Sequence, residues 1–174
     1  RWSPLTQGGF SFVGSFAAIS TLGLLPKAMR LVIPSFPEPL LIGGFGAMAV
    51  LLFSATKAPL AQPRNAILGN GLGALAGVAV FKAFELFGKA DAPELLWLRV
   101  ALAVPSAIVM QEMAGAVHPP GGATAIIFLI MRPLHLLSFA FVVSPAMFGA
   151  AIFVCIALLT NNLSAARAYP QTWW

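Results

Sequence analysis

Charge is the scarcest property of this chain. Only 9% of its 174 residues are Asp, Glu, Lys or Arg, where a soluble domain carries about 25%. Packing as an ordinary water-soluble globule is therefore excluded. Cysteine is nearly absent too: Cys155 stands alone in an apolar run, so there is no intrachain disulfide and no compartment to infer. Two histidines and that cysteine lie far apart without ligand spacing, so neither a metal site nor a cofactor is expected. No Ser–His or Asp–Asp pair sits at suitable spacing on apposed segments, and the chain is not expected to be an enzyme. The ten Lys and Arg residues are scattered singly, which argues against a nucleic-acid patch and for the basic flanks of membrane helices. No polar or Ser-rich linker divides the chain, so residues 1–174 are expected to form one domain. Residue 1 is Arg rather than Met, so a signal or transit peptide is not among the residues present.

What is abundant is apolar sequence: 59% of residues are hydrophobic and the mean hydropathy is +0.90. An integral membrane protein surrounded by lipid is the prediction. The apolar runs are continuous rather than alternating in segments of about ten, which rules against a β-barrel. A spanning helix needs about 20 apolar residues, and five stretches qualify: Gly9 to Leu25, Leu40 to Thr56, Asn65 to Phe81, Leu95 to Val117 and Leu136 to Thr160, the last with a possible kink at Pro145. Gly121 to Met131 is apolar but too short to cross alone. The expected fold is an all-α polytopic membrane bundle of about five full spans plus one short re-entrant or half helix opened by Pro and Gly. Pro34, Pro37 and Pro39 predict a stiff, extended connection, and Trp173 and Trp174 in the tail suit a membrane interface. With a re-entrant short segment, Arg1, Lys57, Arg64 and Arg132 fall on one side and Lys27, Arg30, Lys82, Lys89, Arg99 and Arg167 on the other. Four against six leaves orientation undecided.

Small residues recur at helical spacing. Gly69, Gly73 and Gly77 share one side of the third span, and Ser11, Gly14, Ser15 and Ala18 form a similar ridge in the first. Close helix packing is the plain reading, a pore lining the alternative, and self-association through such ridges predicts a homo-oligomer. "GLGALA" at Gly71 to Ala76 approximates a dinucleotide fingerprint, but that motif needs a preceding strand and a helix opening on solvent.

The stretch Gly115 to Ile127, "GAVHPPGGATAII", interrupts the apolar pattern. Non-helical backbone at membrane depth persists only where protein buries it or water reaches it. Pro120 fits the first turn of a helix, and the amides of Gly121, Gly122, Ala123 and Thr124 would then face outward from a positive helix end, with the Thr124 hydroxyl as a further donor. Such an end suits a small inorganic anion. His118 either braces the turn or supplies a proton. Gln111 and Glu112 lie within two turns of it, and Glu112 either handles protons or is solvated at the interface. His135, beside Arg132 and Pro133, reads as interfacial. A second Pro-rich break, "APLAQPRN", puts Arg64 and Asn65 at the start of a Gly-bearing helix, and paired interruptions of this kind point to a transporter site.

At "AVHPPGGATA" the chain resembles the HPP family of integral membrane proteins, named for His118-Pro119-Pro120. Ala58 to Asn65, the Asn161-Asn162-Leu163 triplet and the terminal "YPQTWW" are similar landmarks in the same order. They cover most of the chain from about Phe45 onward. The family is described with four spans, and many members carry a histidine where this chain has Asn70. Some members also carry soluble regulatory domains, which these residues do not contain. The resemblance implies transport of nitrite, the activity associated with plastid-envelope and cyanobacterial members. It also implies a plastid inner envelope in a photosynthetic eukaryote, or otherwise a bacterial inner membrane or another organelle membrane. In that reading Arg64, Asn65, His118, Gly121, Gly122 and Thr124 bind the anion, and Glu112 or His118 couples a proton. The competing reading is a membrane scaffold or sensor that transports nothing.

Overall fold

The computed structural model describes residues 3–36, 39–164 and 167–173. All their regular structure is helical, with no strand among the described residues. In order they form α1 (Pro4–Arg30), α2 (Gly44–Ser54), α3 (Pro63–Glu85), α4 (Leu96–Met113), α5 (Pro119–Ile130), α6 (Arg132–His135) and α7 (Val142–Asn161). α1, α3, α4 with the turn before it, and α7 are long and apolar enough to cross a bilayer. α2 has six α-helical residues and five more in π-helical geometry, and α5 has 12 residues. At 1.5 Å per residue each reaches only about 16–18 Å, roughly half of the ~30 Å hydrocarbon core. Phe12, Phe16, Trp97, Ile108, Val109, Phe148 and Leu159 are exposed on the long helices, as lipid-facing side chains are.

The structure is the expected membrane helix bundle, with four long helices and two short ones. The difference lies in Leu40 to Thr56, which is helical only from Gly44. Pro39 to Ile42 has no regular structure, because proline lacks an amide hydrogen and the Gly43-Gly44 pair lowers helix propensity. Other ends also moved. α1 does not stop at Pro26 but continues to Arg30, where Lys27 and Arg30 complement the helix's negative end. α7 starts at Val142 rather than Leu136, and Ser144 (φ −139°, ψ 125°) leaves helical geometry just before Pro145, which places the kink.

Contacts along the helices fix their directions. On α3, a side chain at Gly69 or Gly73 would run into the backbone around His118 and Gly121, and one at Gly77 into Ala125. Phe81 meets Phe128 edge-on. α5 therefore runs parallel to α3 but starts six to ten residues along it, about 9–15 Å in. α2 runs the other way, alongside α7: Phe45 abuts Gly149, and Asn161 reaches the Leu52 carbonyl at 2.9 Å. Gly44, at the start of α2, lies against Pro120 and Thr124, at the start of α5. Two short helices thus begin beside each other inside the bundle and point to opposite faces.

Each completes a crossing whose other half is irregular chain. The order long–short–long appears twice, as α1–α2–α3 and α4–α5–α7, with opposite direction in the membrane. This is the arrangement of an inverted-topology repeat. It changes the distribution of charge. α5 carries the chain on to the far face, where α1 ends, so Arg132 joins Lys27, Arg30, Lys82, Lys89 and Arg99 there. α7 returns Arg167 to the near face with Lys57 and Arg64. Among the described residues the count is six against three. Arg1, Pro37 and Trp174, which entered the expectations above, lie outside the described residues.

A methyl group on Gly73 would collide with the Gly121 backbone, whereas one on Gly46 meets nothing within 4 Å. Overpacking of this kind costs about 1–3 kcal/mol. Gly73→Ala is expected to lose that much in a detergent unfolding titration, with Gly46→Ala at or above the parent. The charge count predicts that the far face is cytoplasmic. In a Cys155→Ser background, Lys89→Cys should react with an impermeant maleimide only after the cytoplasmic side of the host membrane is opened. Lys57→Cys should react without opening, and the reverse pattern contradicts the orientation.

Candidate functional site

The break between α4 and α5 is held open by side chains from α3 and α4. α4 ends at Met113, and Gly115 turns the chain with a positive φ of 59°, a geometry that favours glycine. Its carbonyl accepts from Arg64 Nη1 at 2.9 Å, and the Ala114 carbonyl from Arg64 Nη2 at 2.6 Å. Asn65 Nδ2 donates to Val117 O at 2.9 Å. Gln111 works in both directions, donating to Gly69 O at 3.0 Å and accepting from the His118 amide at 3.0 Å. The amides of Gly115 and Ala116 return to Glu112 O and Gln111 O. Backbone that would be orphaned at membrane depth is thus paired by protein, as it must be where water is absent.

His118 follows in an extended conformation and caps α5, with Pro119 in the first helical position. It is completely buried. Its Nδ1 lies 2.8 Å from Leu60 O, and a carbonyl can only accept, so Nδ1 carries the proton and Nε2 the lone pair. Nε2 has no hydrogen-bond partner among the described residues. A buried polar atom without a partner costs stability unless a ligand or water meets it.

At the start of α5 the Gly121 amide is engaged by His118 O at 2.9 Å. The Thr124 hydroxyl faces Asn70 Oδ1 at 2.9 Å and Pro120 O at 3.0 Å. Pro119 is exposed, and Gly122 and Ala123 are half-buried. Gly122 has nothing within 4 Å of where a Cβ would sit, so among the glycines at this end it is the one with open space before it. Asn70 ties the two short helices to α3, donating to Ala66 O at 2.8 Å and lying 3.5 Å from Met48 Sδ.

His118, Gly121, Gly122 and Thr124 lie at one helix start, but the outward-facing amides expected there are engaged. The His118 amide donates to Gln111 and the Gly121 amide to His118 O, and the next amides fall within the α5 ladder. Arg64 and Asn65 are close by, but their donors go to the carbonyls of the break. Glu112 is exposed in the last turn of α4. The Gly69, Gly73, Gly77 ridge packs against α5 of the same chain. Gly43-Gly44 escaped the sequence reading, while Gln111 and Asn70 entered it only by position, as a neighbour of His118 and as the place of a histidine in many family members. The glycine pair after Pro39 was a usable signal. Gln111 and Asn70 make their bonds to partners distant in the chain, which no local pattern announces.

A buried asparagine, a half-buried arginine and a buried tyrosine secure the near face. Asn161 and Arg167 hold the Leu52 and Phe53 carbonyls at the end of α2. Tyr169 donates to Ala61 O at 2.8 Å, and Gln62 accepts from the Gln171 amide at 2.8 Å. The Ala58–Asn65 stretch and the C-terminal landmarks thus belong to one interlocking set of contacts.

Two opposed half-length helices that meet inside four long ones define a polytopic membrane protein. A family model described as "HPP, transmembrane region" matches residues 3–170, and the chain belongs to that family. Two Dictyostelium discoideum proteins described as transmembrane proteins are similar. One is 35% identical over 170 residues, covering 98% of this chain and 57% of that protein. The other is 35% identical over 172 residues, covering 99% and 53%. The chain thus spans little more than half the length of these relatives. No solved structure matches.

Replacing Gln111 with Leu removes its bond to Gly69 O on α3 and its bond to the His118 amide. Unsatisfied buried backbone groups cost about 1–3 kcal/mol each. Gln111→Leu is therefore expected to destabilise the bundle by about 2–6 kcal/mol in the same unfolding titration, while Glu112→Gln, at an exposed position, stays within about 0.5 kcal/mol.

Proposed function

We propose that this protein is a transporter or channel for a small monovalent anion, with nitrite the substrate that family resemblance favours. The observation that carries the reading is the meeting of two helix starts, Gly44 of α2 against Pro120 and Thr124 of α5. Helix N-termini bear partial positive charge, and broken helices of inverted repeats use such ends to hold anionic groups near the membrane midplane. The open approach at Gly122 supports a ligand there. Arg64, Asn65 and Gln111 act as positioning residues that keep the α5 start in place. His118 Nε2 is suited to accept a proton, converting the imidazole from acceptor to donor as an anion arrives, so the proposal includes proton coupling through His118 rather than exposed Glu112.

On this reading the protein is not an enzyme, needs no cofactor or metal, and resides in an envelope, inner or organelle membrane. It includes self-association, but through surfaces other than the α3 ridge, such as exposed Gly46 and Ala47 on α2. The internal pairing of most of the break equally favours a second reading, a scaffold or sensor whose interruptions serve packing alone.

Flux separates the two. Purified protein in liposomes should take up nitrite faster than protein-free liposomes, and an inward proton gradient should accelerate it. His118→Gln should abolish the acceleration while leaving the unfolding midpoint within a few degrees. No uptake of nitrite, nitrate or formate sinks the transport reading.

A further inference from the structure

A second feature lies at the far face, at the other end of α5. A cavity of about 100 Å³ is bordered by Asp91, Arg99, Leu129, Ile130, Arg132 and His135. At roughly 30 Å³ per water it has room for about three waters, or for one small oxyanion. Exposed Arg132 and Asp91 stand at its mouth.

Arg99 is the unusual member. It lies one turn into α4 and is only 3% exposed. Arginine near the end of a spanning helix ordinarily snorkels, turning its donors to interfacial water. Here Nη2 donates to Ala92 O at 3.0 Å, while Nε and Nη1 are buried with no hydrogen-bond partner among the described residues. A guanidinium held inside the protein with two donors unmet is the pattern of a site missing its ligand. His135 adds a second unmet atom, Nε2. Its ring is held between Phe81 and Phe128, with Nδ1 3.6 Å from Asp91 Oδ1. Two arginines face one carboxylate, so the cavity keeps a net positive charge even with His135 neutral.

We propose that this cavity binds an oxyanion on Arg99, with Arg132 completing the charge at the mouth. The oxyanion is either a free inorganic one or the phosphate of an anionic lipid headgroup, since both present the planar-fork acceptor pair that arginine matches. The site is separate from the α2–α5 junction and does not rest on the transport reading.

Binding in detergent tests it apart from flux. Inorganic phosphate is titrated calorimetrically into the full chain in a nonionic, lipid-free detergent. In parallel, thermal stability is compared between nanodiscs of phosphatidylcholine with and without phosphatidylglycerol. Saturable phosphate binding identifies a free anion; stabilisation by phosphatidylglycerol alone identifies the lipid. Either effect should fall about tenfold or more in Arg99→Gln, the loss of charge-assisted hydrogen bonds. Where Arg99→Gln fails to fold, Arg132→Gln should weaken binding and Asp91→Asn strengthen it. His118→Gln should change neither. Absence of both effects in the parent protein overturns the proposal, as does binding that Arg99→Gln leaves intact. If Arg99→Gln does not fold, binding indifferent to Arg132→Gln and Asp91→Asn overturns it.

Discussion

Everything in this bundle follows from one constraint: a peptide group that leaves helical geometry inside a bilayer must find its hydrogen bond in the protein. The Ala114–His118 break is the clearest case. Three of its carbonyls are taken by Arg64 and Asn65, and its last amide by Gln111. Those side chains allow α5 to begin well inside the membrane instead of at its surface. Glycine performs the complementary task. Gly69 and Gly73 let the α5 backbone come so near that any side chain there would overlap it. Polar clasp and missing side chains together position the helix start.

The first half of the molecule solves the same problem differently. α2 begins beside α5, and its C-terminal carbonyls are held by Asn161 and Arg167 from the opposite end of the chain. Contacts between residues more than a hundred positions apart close the bundle around the junction. The last turns of α2 and α7 and the 167–173 segment form one unit at the near face, so a truncation before Arg167 would expose the end of α2. The far face is organised around the end of α5, where buried Arg99 and the aromatic cage of His135 surround a charged cavity.

The helical class and the α5 start were legible in the sequence, because His-Pro-Pro-Gly-Gly has few conformations open to it. The start of α2 was not, because "LLIGGFGAMAVLLFS" is continuously apolar and its hydropathy hides that Leu40 to Ile42 are irregular. Only Pro39 and the Gly43-Gly44 pair marked it. The sides assigned to Arg132 and Arg167 changed for a different reason: α5 carries the chain on to the far face instead of re-entering. Arg64 and Asn65 stood out as polar residues at a helix start, which they are, but their partners are carbonyls some fifty residues away. A carbonyl has no signature in sequence, so a clasp and a ligand site look alike until the chain is folded.

The account depends on an anion being able to sit where α2 and α5 begin. Crystals of the protein grown with bromide, a monovalent stand-in with strong anomalous scattering, test that most directly. The account predicts an anomalous peak in the open space beside Gly122 and close to Gly44. Crystals that hold bromide elsewhere, with none at this junction, would contradict it.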